Sequence, residues 1–181
     1  MEVLNDHRTV VVNLFGVPGA GKSTGAAYIF SKLKMLGYDA ELVTEFAKDK
    51  VWEESVEVFK NQAYIFGKQY FRMTRCAEKV NLIITDSPLL LCRFYNRSET
   101  LGDTFNALVT KVFHSFENVN FLINRVKKYN PSGRFQNEEQ SDALAAPMKE
   151  LLRSSGVEYT EVDGCEDGYN EIVSTIVNYL S

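Results

Sequence analysis

Histidine, cysteine, proline and tryptophan are scarce in this 181-residue chain, at two, three, four and one. The histidines are His7 and His114; the cysteines, Cys76, Cys92 and Cys165, lie far apart with no C-x-x-C pair. A zinc ribbon or a disulfide framework is thereby disfavoured, the thiols read as packing residues, and a reducing cytoplasm fits. No apolar run reaches the roughly 18 residues of a membrane helix. The opening MEVLNDHR is polar and carries two acids, so neither a signal nor a transit peptide is expected. An excess of base is also missing: 20 Lys and Arg stand against 24 Asp and Glu, a net charge of -4. A non-specific nucleic-acid coat is usually basic, so that class is disfavoured, although a local basic groove stays open. The sequence shows neither internal repeat nor low-complexity tract. What is present is ordinary for a globular chain, 45% hydrophobic and 24% charged. The length suits one domain, residues 1–181.

The spacing of apolar residues predicts alternating strands and helices. Thr9 to Phe15 is β-branched and nearly continuous in apolar character, as a strand buried on both faces should be. A glycine-rich turn leads into a helix over Ser23 to Leu36, and Ala40 to Thr44 is a second strand. Glu53 to Val80 reads as one long helix, with Val56, Phe59, Ala63, Phe66, Tyr70, Met73 and Ala77 along one core-facing stripe. Strands follow at Asn81 to Thr85, Val119 to Asn124 and Val157 to Val162, with helices at Thr104 to Phe116, Ser141 to Ser154 and Tyr169 to Leu180. This alternation predicts an α/β fold: a parallel sheet of about five strands, helices on both faces, right-handed crossovers.

Between the first strand and helix stands Gly16-Val17-Pro18-Gly19-Ala20-Gly21-Lys22-Ser23, which satisfies G-x-x-x-x-G-K-[ST]. Its glycines let the backbone bend so that successive amides point at one phosphate. The following helix offers its unpaired N–H groups and positive dipole end to the same anion. Lys22 would reach the β- and γ-phosphates, and the Ser23 hydroxyl a magnesium ion. A chance match occurs in roughly one chain of this length in a hundred or fewer, and this one sits after a buried strand and before a helix. The nucleotide-binding set is therefore Gly16, Gly19, Ala20, Gly21, Lys22, Ser23 and Thr24. Such a site also needs an acid at the end of another buried strand, and Asp86 follows Asn81 to Thr85 directly. It could hold magnesium or take a proton; the plain alternative is a cap for the next helix.

With these motifs the chain resembles the small P-loop kinases. It is similar to the nucleoside and nucleotide kinases, including deoxynucleoside kinase-like and nicotinamide riboside kinase-like proteins, and to the AAA-type ATPase/kinase proteins often encoded by bacteriophages. Deoxynucleoside kinases carry a glutamate at the end of the second strand and a tryptophan soon after; here these are Glu45 and Trp52. The resemblance makes Glu45 the base toward the acceptor hydroxyl, a role a strand-end carboxylate beside a P-loop can perform chemically. On the matching long helix a glutamine reads the base, which points to Gln62 and Gln69. The stretch from Arg125 to Gln140 corresponds to a lid whose cations, here Arg125, Lys128 and Arg134, close on the phosphates. The acid-arginine-serine triplet of deoxynucleoside kinases reads Asp86-Ser87-Pro88 instead, leaving Arg93 or Arg97 as substitutes for its arginine. The arginine-finger and sensor patterns of ring-forming AAA+ motors are absent.

The expectation is thus a three-layer P-loop kinase domain with a short lid, using ATP and Mg2+. It would transfer the γ-phosphoryl group to a nucleoside, nucleotide or modified-nucleotide acceptor. Lys22, Glu45, Asp86, Arg125 and Arg134 form the catalytic set. Glu45, Gln62, Gln69 and Lys128 contact the acceptor, and Ser23 and Asp86 the metal. Two alternatives stay open: a phage-type kinase acting on a hydroxymethylated base in DNA, and a nucleotide-responsive ATPase acting through a partner. DNA and a second copy of the chain are open as partners, a membrane is not expected, and the compartment would be the cytoplasm, that of the host if phage-encoded.

Overall fold

The computed structural model describes residues 9–53, 56–130 and 137–181. Five strands, β1 (Val10–Phe15), β2 (Ala40–Val43), β3 (Leu82–Thr85), β4 (Glu117–Asn124) and β5 (Thr160–Asp163), form one sheet in the order β2-β3-β1-β4-β5. Every pairing is parallel, so each strand must be followed by a crossover, and the helices of those crossovers cover both faces. The α/β, three-layer expectation is met.

The period of two along the strands sorts the core into two layers. Val11 and Phe15 of β1, Ile83 of β3 and Leu122 of β4 point to one layer. There they meet α3 (Gln62–Thr74), α4 (Leu91–Tyr95), α5 (Gly102–Phe113) and α7 (Ala145–Ser154). Val10, Val12, Leu14, Leu82, Ile84, Phe121 and Ile123 point to the other, under α1 (Lys22–Met35) and α8 (Glu166–Leu180). All six residues of β1 are buried, as its central place requires. One polar residue interrupts it: Asn13 donates from Nδ2 to the Oδ1 atoms of Asn118 (2.8 Å) and Asn120 (3.1 Å). Asn120 is its register partner on β4, so a slip of either strand would strand a buried amide.

The expected long helix over Glu53 to Val80 is corrected. A 3-10 turn (Val56–Lys60) and α3 occupy this region as separate pieces, after a further helix, α2 (Phe46–Trp52), that the sequence reading did not foresee. Asn61 restarts the helix: its side chain accepts the Tyr64 N–H at 3.1 Å, satisfying one of the first-turn amides. At the other end, Thr9 accepts the Glu78 N–H at 2.8 Å and donates to the Val80 carbonyl at 2.7 Å. Glu78 there takes a left-handed φ of 64°, which turns the chain into β3. The stripe was continuous because the 3-10 turn and α3 face the same core layer.

The helix expected over Ser141 to Ser154 is likewise two, α6 (Glu138–Asp142) and α7. A reciprocal box of Asn137 and Gln140 opens α6, with Glu138 and Glu139 in its first turn. The last strand begins at Thr160 rather than Val157; Val157 is instead buried in the turn, its N–H bonded to the Leu152 carbonyl. Of the lid stretch 125–140, residues 131–136 and with them Arg134 lie outside the described residues. Among the described residues no helix is long and apolar enough to cross a membrane.

Candidate active site

The glycine-rich loop lies between the end of β1 and the start of α1, at the middle of the sheet's carboxyl edge. Gly16 and Gly21 have φ values of 145° and 106°, a region that side chains with a Cβ rarely occupy. A Cβ on Gly16 would also lie 2.8 Å from the Ile123 carbonyl oxygen.

Carbonyls along the loop accept hydrogen bonds. Lys22 Nζ donates to the Gly16 oxygen (2.8 Å) and the Val17 oxygen (3.2 Å). Val17 also accepts the Ala20 N–H at 3.1 Å. The Pro18 oxygen accepts the Ser141 hydroxyl at 2.7 Å. The Gly21 oxygen accepts the Tyr169 hydroxyl at 3.0 Å and the Gly25 N–H at 2.8 Å. Ser23 and Thr24 are exposed in the first turn of α1. That turn contains no acid, so nothing on it competes with an anion for its amides.

Two acids end neighbouring strands beside the loop. Val43 pairs with Thr85 in register, so Glu45 and Asp86 emerge side by side. Asp86 is buried, and its Oδ1 accepts the Glu45 N–H at 3.1 Å. The backbone around Glu45 is fastened from α3 as well. Buried Gln69 accepts the Phe46 N–H at 3.0 Å and donates to the Thr44 carbonyl at 3.4 Å. Arg72 donates to the same carbonyl at 3.1 Å, pairs with Asp49 at 2.7 Å and lies over the Phe46 ring. Burial pushes the Glu45 carboxyl up from its usual 4.5; Lys22 pulls it down and Asp86 pushes it further up. These influences put the loop's ammonium and both acids in one electrostatic neighbourhood. Burial, and secondarily Glu45, push the Cys92 thiol and the Tyr95 phenol up to about 12. Both residues belong to α4.

The remaining candidates divide. Gln62 is buried and donates to the Phe59 carbonyl at 3.1 Å. Arg125 ends β4; its Nη2 pairs with Asp142 and, at 3.5 Å, with Glu138 of α6, and its guanidinium covers the buried Tyr129 ring. Its Nη1 is buried without a hydrogen-bond partner among the described residues. Lys128 is exposed. Arg93 does not replace the missing arginine beside Asp86: it donates to Thr110 and Ser155, both at 3.1 Å, near the turn that leads into β5. Arg97 is exposed and bonds the Phe94 and Asn96 carbonyls.

Ser23 and Asp86 offer hard oxygens, which suit magnesium. Among the described residues no group of three or more His, Cys, Asp or Glu could hold a metal. One or two protein oxygens completed by phosphate and water are the usual magnesium arrangement. Sequence reasoning missed Ser141, Tyr169 and Arg72. Their partners are backbone carbonyls far away in the chain, which no local pattern announces.

Sheet order, loop and flanking strand-end acids together define the P-loop kinase fold, the fold of nucleoside and nucleotide kinases. The model of an AAA domain family matches residues 11–167, and the chain belongs to that family. Two solved structures of deoxyadenosine kinase from M. mycoides share the fold. One, with bound dATP, is 22% identical over 93% of this chain and 99% of that chain, with a TM-score of 0.59. The other, with the products dCMP and a flexible dCDP, is 21% identical over 94% and 98%, with a TM-score of 0.58. No curated protein sequence matches.

Proposed function

We propose that the chain is an ATP-dependent kinase that phosphorylates a hydroxyl of a nucleoside- or nucleotide-like acceptor. One observation carries this reading: the parallel sheet brings the P-loop lysine and a half-buried strand-end glutamate to one carboxyl edge, and the glutamate's backbone is held on both sides. An ATPase can use such a carboxylate to activate water, so the identity of the acceptor decides between the two. A kinase needs one to orient and deprotonate its acceptor.

In the proposed reaction the loop amides and Lys22 hold the triphosphate. Glu45 accepts the acceptor's hydroxyl proton as that oxygen bonds to the γ-phosphorus. The bond from the γ-phosphorus to the β,γ-bridging oxygen breaks, and ADP leaves. Magnesium, held by Ser23 and Asp86, would supply neutralisation of phosphate charge. Arg125 fits a cation that meets the phosphates, because its buried Nη1 N–H groups match an anionic oxygen; Lys128 and Arg134 belong to the same lid. Gln62 is the candidate for reading the acceptor base. Gln69, with both ends of its amide on backbone, fits better as the residue that positions Glu45. The dATP, dCMP and dCDP of the M. mycoides kinases support testing deoxynucleosides first.

The test is γ-labelled ATP offered with deoxynucleosides, nucleoside monophosphates or hydroxymethylated DNA. Label in a low-molecular-mass acceptor is the expected result. Label in DNA alone would favour the phage-type alternative, and label only in inorganic phosphate would contradict a kinase.

A further inference from the structure

We propose that α6 is a rear brace for the phosphate-binding loop, with Ser141 as its positioning residue. This rests on the loop's reading as a triphosphate site. Ser141 is fully buried, and its hydroxyl donates to the Pro18 carbonyl across 123 positions of sequence. A buried hydroxyl is costly without a partner, and this one has chosen a loop carbonyl.

The consequence follows from peptide geometry. The peptide bonds here include none in the cis form, and in a trans unit the N–H points opposite to the C=O. Holding the Pro18 oxygen back toward α6 turns the Gly19 N–H the other way, toward the face a phosphate would occupy. A loop rich in glycine has many accessible peptide orientations. One that flips would present an oxygen to an anion. Tyr169 acts in the same sense at the loop's other end by holding the Gly21 oxygen, whose peptide partner is the Lys22 N–H.

The brace itself is anchored. Asp142, next to Ser141, and Glu138 one turn earlier pair with Arg125 at the tip of β4. The Asn137–Gln140 box closes the first turn of this short helix. Helix α6 is thereby tied to the end of β4 on one side and to the loop on the other.

The test compares wild type, Ser141→Ala and Ser141→Thr by calorimetry with Mg-ATP and by steady-state kinetics, alongside urea denaturation without nucleotide. Ser141→Ala is expected to weaken Mg-ATP binding about two- to twelvefold, the usual worth of one such hydrogen bond. The KM for ATP should rise in parallel, while the KM for the acceptor stays unchanged. Ser141→Thr, which keeps the hydroxyl, should recover most of the affinity. An Ala variant that is less stable to urea yet binds Mg-ATP like wild type would overturn the brace and leave Ser141 a packing residue. If Thr is no better than Ala, the hydroxyl is not the cause and the proposal also fails. Wild type that binds no nucleoside triphosphate at all would instead overturn the reading of the loop, and the brace with it.

Discussion

Two side chains of opposite charge set the proposed chemistry. Lys22 is the one cation within the loop motif, and Lys22→Ala should lower phosphoryl transfer by about 100-fold or more, as loss of one group stabilising transition-state charge does. Circular dichroism should show the fold intact; a clean variant with full activity would remove the assignment. Glu45 must be ionised to take a proton. Burial raises its carboxyl above the ordinary value, and Lys22 only partly opposes this. The acid limb of the kcat/KM profile should therefore lie above the usual glutamate range. Glu45→Gln should lose that limb and about 100- to 10,000-fold in rate. A pH profile that ends at the ordinary carboxylate value would place the base elsewhere.

The same residue has a stability consequence with a definite sign. The folded state holds the Glu45 proton more tightly than the unfolded chain does, so unfolding free energy falls as pH rises from 4.5 through the raised value. Above that window the cost is fully present. Thermal melts should find Glu45→Gln more stable than wild type at neutral pH, with the difference shrinking in acid. A gain that grows in acid would contradict the assignment of burial as the cause.

At the scale of elements, the junction of β2 and α2 is the precision part. Gln69 satisfies the buried Phe46 N–H and a lone pair on Thr44. Gln69→Leu leaves that N–H unpaired and should cost about 1–3 kcal/mol, with kcat falling more than KM for ATP rises because the Glu45 backbone loosens. Equal stability by chemical denaturation would contradict it. The turn after β5 is as tight: a Cβ on Gly164 would collide with the Ala20 carbonyl oxygen of the loop. Gly164→Ala should therefore destabilise by about 1–3 kcal/mol and weaken Mg-ATP binding together, which differential scanning calorimetry and titration can check.

These elements also show what could be read in the chain and what could not. β1, the loop and α1 were legible because one strand must be apolar on both faces and the loop needs glycine at fixed places. Asp86 was legible as an acid directly after a buried strand, and Glu45 through the resemblance to deoxynucleoside kinases. The break at Asn61 was not, because the apolar stripe runs on through the 3-10 turn and α3, and one capping side chain decides. Neither Arg93's direction nor the reach of Ser141 and Tyr169 was legible, since each depends on which distant backbone carbonyl lies opposite. Gln69 had the right type and place for a base contact, but its amide matches the backbone at 44–46 equally well.

For the whole molecule, the parallel order β2-β3-β1-β4-β5 brings the loop, the two acids and Arg125 to one edge of the sheet. That convergence is what turns separate strand ends into a site. The measurement that bears on it most directly is transfer of label from γ-labelled ATP to a deoxynucleoside, run with wild type, Lys22→Ala and Glu45→Gln. The account expects a labelled nucleotide with wild type and a loss with each variant. Labelled inorganic phosphate alone, at a rate indifferent to acceptor and to Glu45, would contradict it.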